Sequence, residues 1–233
     1  MIFPPPLFWS QEKALTMERS KRLPTESKKP GSLLAEIKSA FRTHLTVLSV
    51  FLAFLWAVHL VNAATGGHLS AFGIEPRSTR GLLGILFAPF LHADVSHIFS
   101  NSVGIVSLGW LVMIRDTWHL PIVALFAIVV GGLVTWTIGG GGVHVGASGI
   151  VYGFFGYLLL SGWFSRSIGW ILFSLVTFAC FGGLLHGMTP AAGANISISG
   201  HIGGFLGGSI AAFLLEKRRR RELSSRSARS RAA

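Results

Sequence analysis

The chain has 233 residues, of which 51% are hydrophobic and only 12% charged, and its formal net charge is +11. An average soluble domain carries about 25% charged residues, so this composition excludes an ordinary soluble globular protein and points to the membrane. The positive charge does not identify a nucleic-acid binder, because it is concentrated in residues 13–42 and in the tail "KRRRRELSSRSARSR", beside membrane-entry points, where anionic lipid is the expected partner.

In chain order, residues 1–32 read as a disordered cytoplasmic tail. Its start, "MIFPPPLFW", has no basic flank and is broken by prolines, unlike a cleaved signal peptide. Leu33, Leu34, Ile37, Phe41 and Leu45 recur at helical spacing among charged residues, which predicts an interfacial helix over 33–44. Apolar runs then follow at Leu45 to Ala63, Ile98 to Ile114, Pro121 to Ile138, Ser148 to Phe164, Ile168 to His186 and His201 to Leu215. Most approach the roughly 17 to 25 residues that cross a bilayer. The expected fold is an all-α membrane protein with six transmembrane helices over 45–215, followed by a basic cytoplasmic tail over 216–233.

If the six spans alternate, eighteen of the 20 Lys and Arg residues fall on one side, and only Arg77 and Arg80 on the other. The positive-inside rule therefore places both tails and the loops at Arg115 and Arg166 in the cytoplasm, with loops 64–96, 139–147 and 187–200 facing outward. No internal repeat is visible, which weighs against a transporter. Cys180 is the single cysteine, so neither a disulfide nor a cysteine-based metal site is available within the chain.

None of the nine acids lies in a span, which weighs against a proton pump, an acidic channel ring or a carboxylate-ligated metalloprotease. Polar groups instead gather at one level: His97, Ser148 and His201 stand at the outward ends of the second, fourth and sixth spans. Gly149, Gly153 and Gly156 follow an i, i+4, i+7 row, and Gly204 and Gly208 follow His201 at i+3 and i+7, so each helix presents a glycine face. Packing of those faces would bring Ser148 and His201 within reach. His97 and Asn101 are i and i+4, so both project from one face as donors, a candidate oxyanion hole. The last span, only 15 residues from His201 to Leu215, predicts a wet depression at the outer side.

The segments "HADVSHIFSN", "GASGIVYGFFGY" and "ISISGHIGGFLGG" resemble the signature segments of the rhomboid family of intramembrane serine proteases, in the family's order, over residues 45–215. The resemblance implies that Ser148 is the nucleophile and His201 the general base. It assigns the oxyanion donors to His97, Asn101 and the Ser148 backbone N–H. Gly146 and Gly149 match the glycines of the serine motif, and Tyr152 the tyrosine that packs on the catalytic histidine. A Ser-His dyad needs neither metal nor cofactor, and its substrates would be transmembrane proteins. His92 matches a family histidine and is read as structural. Loop 64–96 lacks the Trp-Arg pair of many bacterial members; its Leu82, Leu83, Ile85, Leu86, Phe87 and Phe90 suggest partial immersion, with Arg77 and Arg80 as headgroup anchors. The rival readings are a rhomboid-fold pseudoprotease that binds membrane clients, a metalloprotease using His92, His97, His144 or His201 but lacking H-E-x-x-H, and a small channel or transporter. The physiological substrate and the oligomeric state are not written in the sequence.

Overall fold

A computed structural model describes residues 30–193 and 196–232, so the tail expected over 1–32 lies outside the described residues except for its last three positions, which begin the first helix. The chain divides into two units, Met1–Thr43 and His44–Ala233. Helix α1 spans Pro30–Ala64, so the interfacial helix expected over 33–44 is not a separate element but continuous with the first span. Leu33, Leu34, Ile37 and Phe41 are exposed.

The long loop after α1 is helical over much of its length. Asn62 ties its start, donating to the Ser70 hydroxyl at 3.0 Å while its own carbonyl accepts the Leu69 N–H at 2.9 Å. After a 3-10 turn at His68–Phe72, helix α2 covers Thr79–Phe87, opened by Ser78, whose hydroxyl accepts the Gly81 N–H at 3.0 Å. Ile85 is buried, whereas Leu82, Leu83, Leu86 and Phe87 are exposed, so α2 turns an apolar face outward. Arg77 does not simply point to headgroups: its Nη1 donates to the Gly139 and Thr137 carbonyls at 3.0 and 3.4 Å, and Trp136 Nε1 donates to the Ser78 carbonyl at 2.7 Å. A tryptophan outside the loop thus clamps it in place.

Helices α3 (Val95–Arg115), α4 (His119–Ile138), α5 (Ser148–Ser165), α6 (Ile168–Phe181, extended by a 3-10 segment Gly182–Met188) and α7 (Ile198–Ala232) form the bundle. Asp94 caps α3, its carboxylate accepting the His97 N–H at 2.8 Å. α5 is the central helix: every residue from Ile150 to Leu158 is buried, and α3, α4, α6 and α7 pack around it. Small residues make the closest of these approaches. A Cβ on Gly204 would overlap the backbone of Gly149, and one on Gly208 that of Gly153, so side chains larger than hydrogen are excluded along the α5–α7 seam. Gly131 of α4 meets Gly203 and Gly204 in the same way.

Five stretches among the described residues are long and apolar enough to cross a membrane: Leu33–Ala64, Val95–Arg115, His119–Ile138, Ile168–Met188 and Ile198–Arg231. Central helix α5, at 18 residues about 27 Å long, is diluted by serine, glycine and tyrosine; being wrapped by other helices, it needs no lipid-compatible surface. The last helix begins at Ile198 and continues past the apolar stretch through the basic segment to Ala232, so His201 lies inside its first turn.

Candidate active site

Ser148 opens α5 directly after a loop that only glycine can build. Gly146 has φ +119°, and a Cβ there would sit 2.5 Å from the His97 ring. The loop is held by the Gly146 N–H, which donates to the Ala88 carbonyl at 2.9 Å, and by the Ala147 N–H, which reaches His92 Nε2 at 3.4 Å. His92 is fully buried, and burial, reinforced by neighbouring His97 and His59, pushes its imidazole down to about 4, keeping the neutral ring that accepts from Ala147.

His201 faces Ser148 across the glycine seam, with Nε2 2.9 Å from the Ser148 hydroxyl. Its Nδ1 lies 2.8 Å from the Gly187 carbonyl. A carbonyl only accepts, so Nδ1 carries the proton and Nε2 presents its lone pair to the serine O–H. The ring is stacked on Tyr152, centroids 4.0 Å apart and planes 15° from parallel. Tyr152 lies one turn along α5 from Ser148, and its hydroxyl donates to the Leu184 carbonyl at 2.8 Å. The 3-10 segment Gly182–Met188 therefore orients both rings through its backbone. A Cβ on Gly187 would overlap the tyrosine hydroxyl.

His97 and Asn101 project from α3 towards the same space. Asn101 is buried, and its Nδ2 has no hydrogen-bond partner among the described residues, a donor left unused in the resting site. His97 packs against Gly146 and lies edge-on to His92 at 5.2 Å. An open cavity of about 880 Å³ covers the group, lined by His97, Asn101, His144, Ser148, Tyr152 and His201. A smaller cavity of about 50 Å³ adjoins Ser148 and Gly149, between Ile128 and Gly132 of α4 and Ser197. Gly149, Gly204 and Gly208 lie in the seam and do not line the larger cavity.

The arrangement contains parts that sequence reasoning missed. The Gly187 and Leu184 carbonyls orient His201 and Tyr152, yet any residue supplies a carbonyl, so no side-chain signal marks them. His144 bonds Ser197 through Nδ1 at 2.8 Å and the Gly140 carbonyl through Nε2 at 3.1 Å, while its backbone pairs with Ile74. It thereby joins the loop after α1, the glycine loop and the entry to α7. Among the described residues no group of three or more His, Cys, Asp or Glu side chains is arranged to hold a metal ion.

The sequence matches the family profile described as Rhomboid domain over residues 79–218. Uncharacterized proteins of Mycobacterium tuberculosis (strain H37Rv) and Mycobacterium bovis are each 37% identical over 200 residues, covering 79% of this chain and 81% of theirs. One from Mycobacterium leprae is 34% identical over 179 residues, covering 73% and 70%. With the profile spanning more than half of the chain and its apolar helices able to cross a bilayer, the protein is an integral membrane protein that belongs to the rhomboid family.

Proposed function

We propose that this protein is an intramembrane serine endopeptidase that cuts transmembrane segments with a Ser148–His201 dyad. The observation that carries the reading is the 2.9 Å contact between His201 Nε2 and the Ser148 hydroxyl, with the tautomer set by Gly187. Members of the rhomboid family are usually intramembrane serine proteases, which supports it. As Ser148 Oγ attacks a scissile carbonyl, its proton passes to His201 Nε2. The imidazolium is stabilised by the Gly187 carbonyl and by the face of Tyr152. Negative charge developing on the former carbonyl oxygen is met by Asn101 Nδ2, His97 and the Ser148 N–H. His201 then returns the proton to the leaving amine, and water admitted through the cavity hydrolyses the acyl-enzyme. No metal or cofactor is required by these steps.

The proposed topology has six spans, α5 being the sixth membrane helix beside the five most apolar ones. Both termini are cytoplasmic, the protease core covers 45–215, and the chain sits in a bacterial plasma membrane. The basic segment after Glu216 faces anionic lipid headgroups, and the residues before α1 form a cytoplasmic tail. Ser148 then opens its helix near the outer third of the bilayer, so cleavage falls towards the outer end of a transmembrane substrate. Because a helix hides its carbonyls in its own hydrogen bonds, substrates with Gly, Pro or polar residues near the cut are favoured.

The test is purified protein in proteoliposomes with a reporter helix carrying one cleavable sequence at several depths. Wild type cuts near the outer end, and Ser148→Ala and His201→Ala do not. Retained cleavage in Ser148→Ala contradicts the assignment. Stable binding of membrane clients by a wild type that never cuts would favour a rhomboid-fold pseudoprotease.

A further inference from the structure

At the end of the bundle opposite Ser148, a buried charged cluster is left unused by the proposed chemistry. Arg115, the last residue of α3, donates through Nη2 to Glu216 of α7, and the two side chains are only 5% and 1% exposed. The other carboxylate oxygen of Glu216 accepts from Arg219 Nε at 2.9 Å. The Arg115 guanidinium lies over the Trp170 ring of α6, 4.2 Å from its centroid. Tyr157 of α5 and His119 of α4, bonded to each other at 2.6 Å, lie within electrostatic range of this pair. Residues from all five bundle helices therefore meet at Glu216 or beside it.

The two helices joined by this ion pair are also the two that carry facing parts of the candidate site. α3 bears His97 and Asn101 at one end and Arg115 at the other, 18 positions or about 27 Å from His97. α7 bears His201 and, 15 positions or about 22 Å further on, Glu216. Between those ends α7 rides on α5, through Gly204 and Gly208 and the ring contacts Phe155–Phe205 and Phe164–Phe213, but does not pack extensively on α3. The directional, buried ion pair ties α7 directly to α3, which the α5–α7 seam does not do.

We infer that Arg115 and Glu216 are positioning residues: the pair sets the register of α7 against α3, and through it the place of His201 relative to the oxyanion donors. The inference rests on the proposed reading of the site. Glu216→Gln leaves a buried guanidinium without its counter-charge. Replacing both partners by methionine fills the volume with flexible apolar side chains that hold the bundle together without specifying register.

The experiment measures kcat and KM on a transmembrane reporter, the rate of fluorophosphonate labelling at Ser148, and the thermal unfolding midpoint in the same detergent. In a Cys180→Ser background, the distance distribution between spin labels at the exposed positions Phe99 and Leu206 is added. Glu216→Gln is expected to lower kcat and the labelling rate about ten-fold, as a sub-ångström misplacement does, with KM little changed and the label distances broadened. The Arg115→Met, Glu216→Met double variant is expected to recover the unfolding midpoint but not the rate, and Arg115→Lys to recover part of the rate that Arg115→Met loses. A folded Glu216→Gln with wild-type kcat, labelling and label distances would overturn the inference, as would a double variant whose rate returns with its stability. If wild type neither cuts nor labels, the protease reading fails, and the label distances still decide whether the pair sets register.

Discussion

The ring of Tyr152 lies 4.0 Å from that of His201, nearly parallel to it, while the tyrosine hydroxyl is occupied elsewhere, donating to the Leu184 carbonyl. The hydroxyl thus secures the ring, and the ring secures the imidazole, in a site where no carboxylate hydrogen-bonds His201. Tyr152→Phe gives up one hydrogen bond, about 1 kcal/mol of stability, and keeps the stack. Tyr152→Ala removes the stack. Cleavage kinetics should therefore show Tyr152→Phe retaining much more activity than Tyr152→Ala; equal losses would place the function in the hydroxyl.

Asn101 offers a separate test, because its Nδ2 is buried without a partner among the described residues. A donor that is idle in the resting site adds nothing to folding through that bond and becomes useful only when charge develops opposite it. Asn101→Ala should lower kcat by up to about 10² to 10³ while the unfolding midpoint changes little. A loss of stability with unchanged kcat would remove Asn101 from the oxyanion role.

His92 gives the site a pH dependence whose sign follows from its burial. Its folded value, about 4, is below the ordinary 6.5, so between those values the unfolded chain binds the extra proton and the folded one does not. This contribution to stability is fully present above about pH 6.5 and is lost as pH falls towards 4, by about 3 kcal/mol at most. Protonation would also remove the acceptor for the Ala147 N–H beside Ser148. Unfolding midpoints measured from pH 7.5 to 4.5 should fall for wild type and fall less for His92→Gln, which keeps an acceptor without a titrating ring.

The parts legible in the sequence are those written in side chains, or in the want of them, at helical spacing. The rows Gly149–Gly153 and Gly204–Gly208 name the seam at which α5 and α7 touch, because at Gly204 and Gly208 nothing larger than hydrogen fits against the α5 backbone. The i, i+4 pair His97 and Asn101 names one face of α3. Backbone acceptors leave no such mark, which is why Gly187 and Leu184 went unseen. Arg115 and Glu216 read as an ordinary loop residue and an ordinary tail residue; only the fold brings two charges 101 positions apart into a buried pair. The same tail composition hid the continuation of α7 to Ala232, since a run of arginines at the end of a span reads as a solvated segment whether or not it is helical. Loop 64–96 lacks the tryptophan expected of many bacterial members, and Trp136 of α4 reaches it from outside by a bond to Ser78.

If His201 activates Ser148 as a nucleophile, covalent capture reads that activation out at the serine itself. Purified protein in membranes is treated with a fluorophosphonate, digested, and the modified residue located by mass spectrometry, in parallel with His201→Ala. One adduct is expected, on Ser148, formed in step with loss of cleavage and nearly absent in His201→Ala. An adduct on another residue, or equal labelling of Ser148 with and without His201, would contradict that activation.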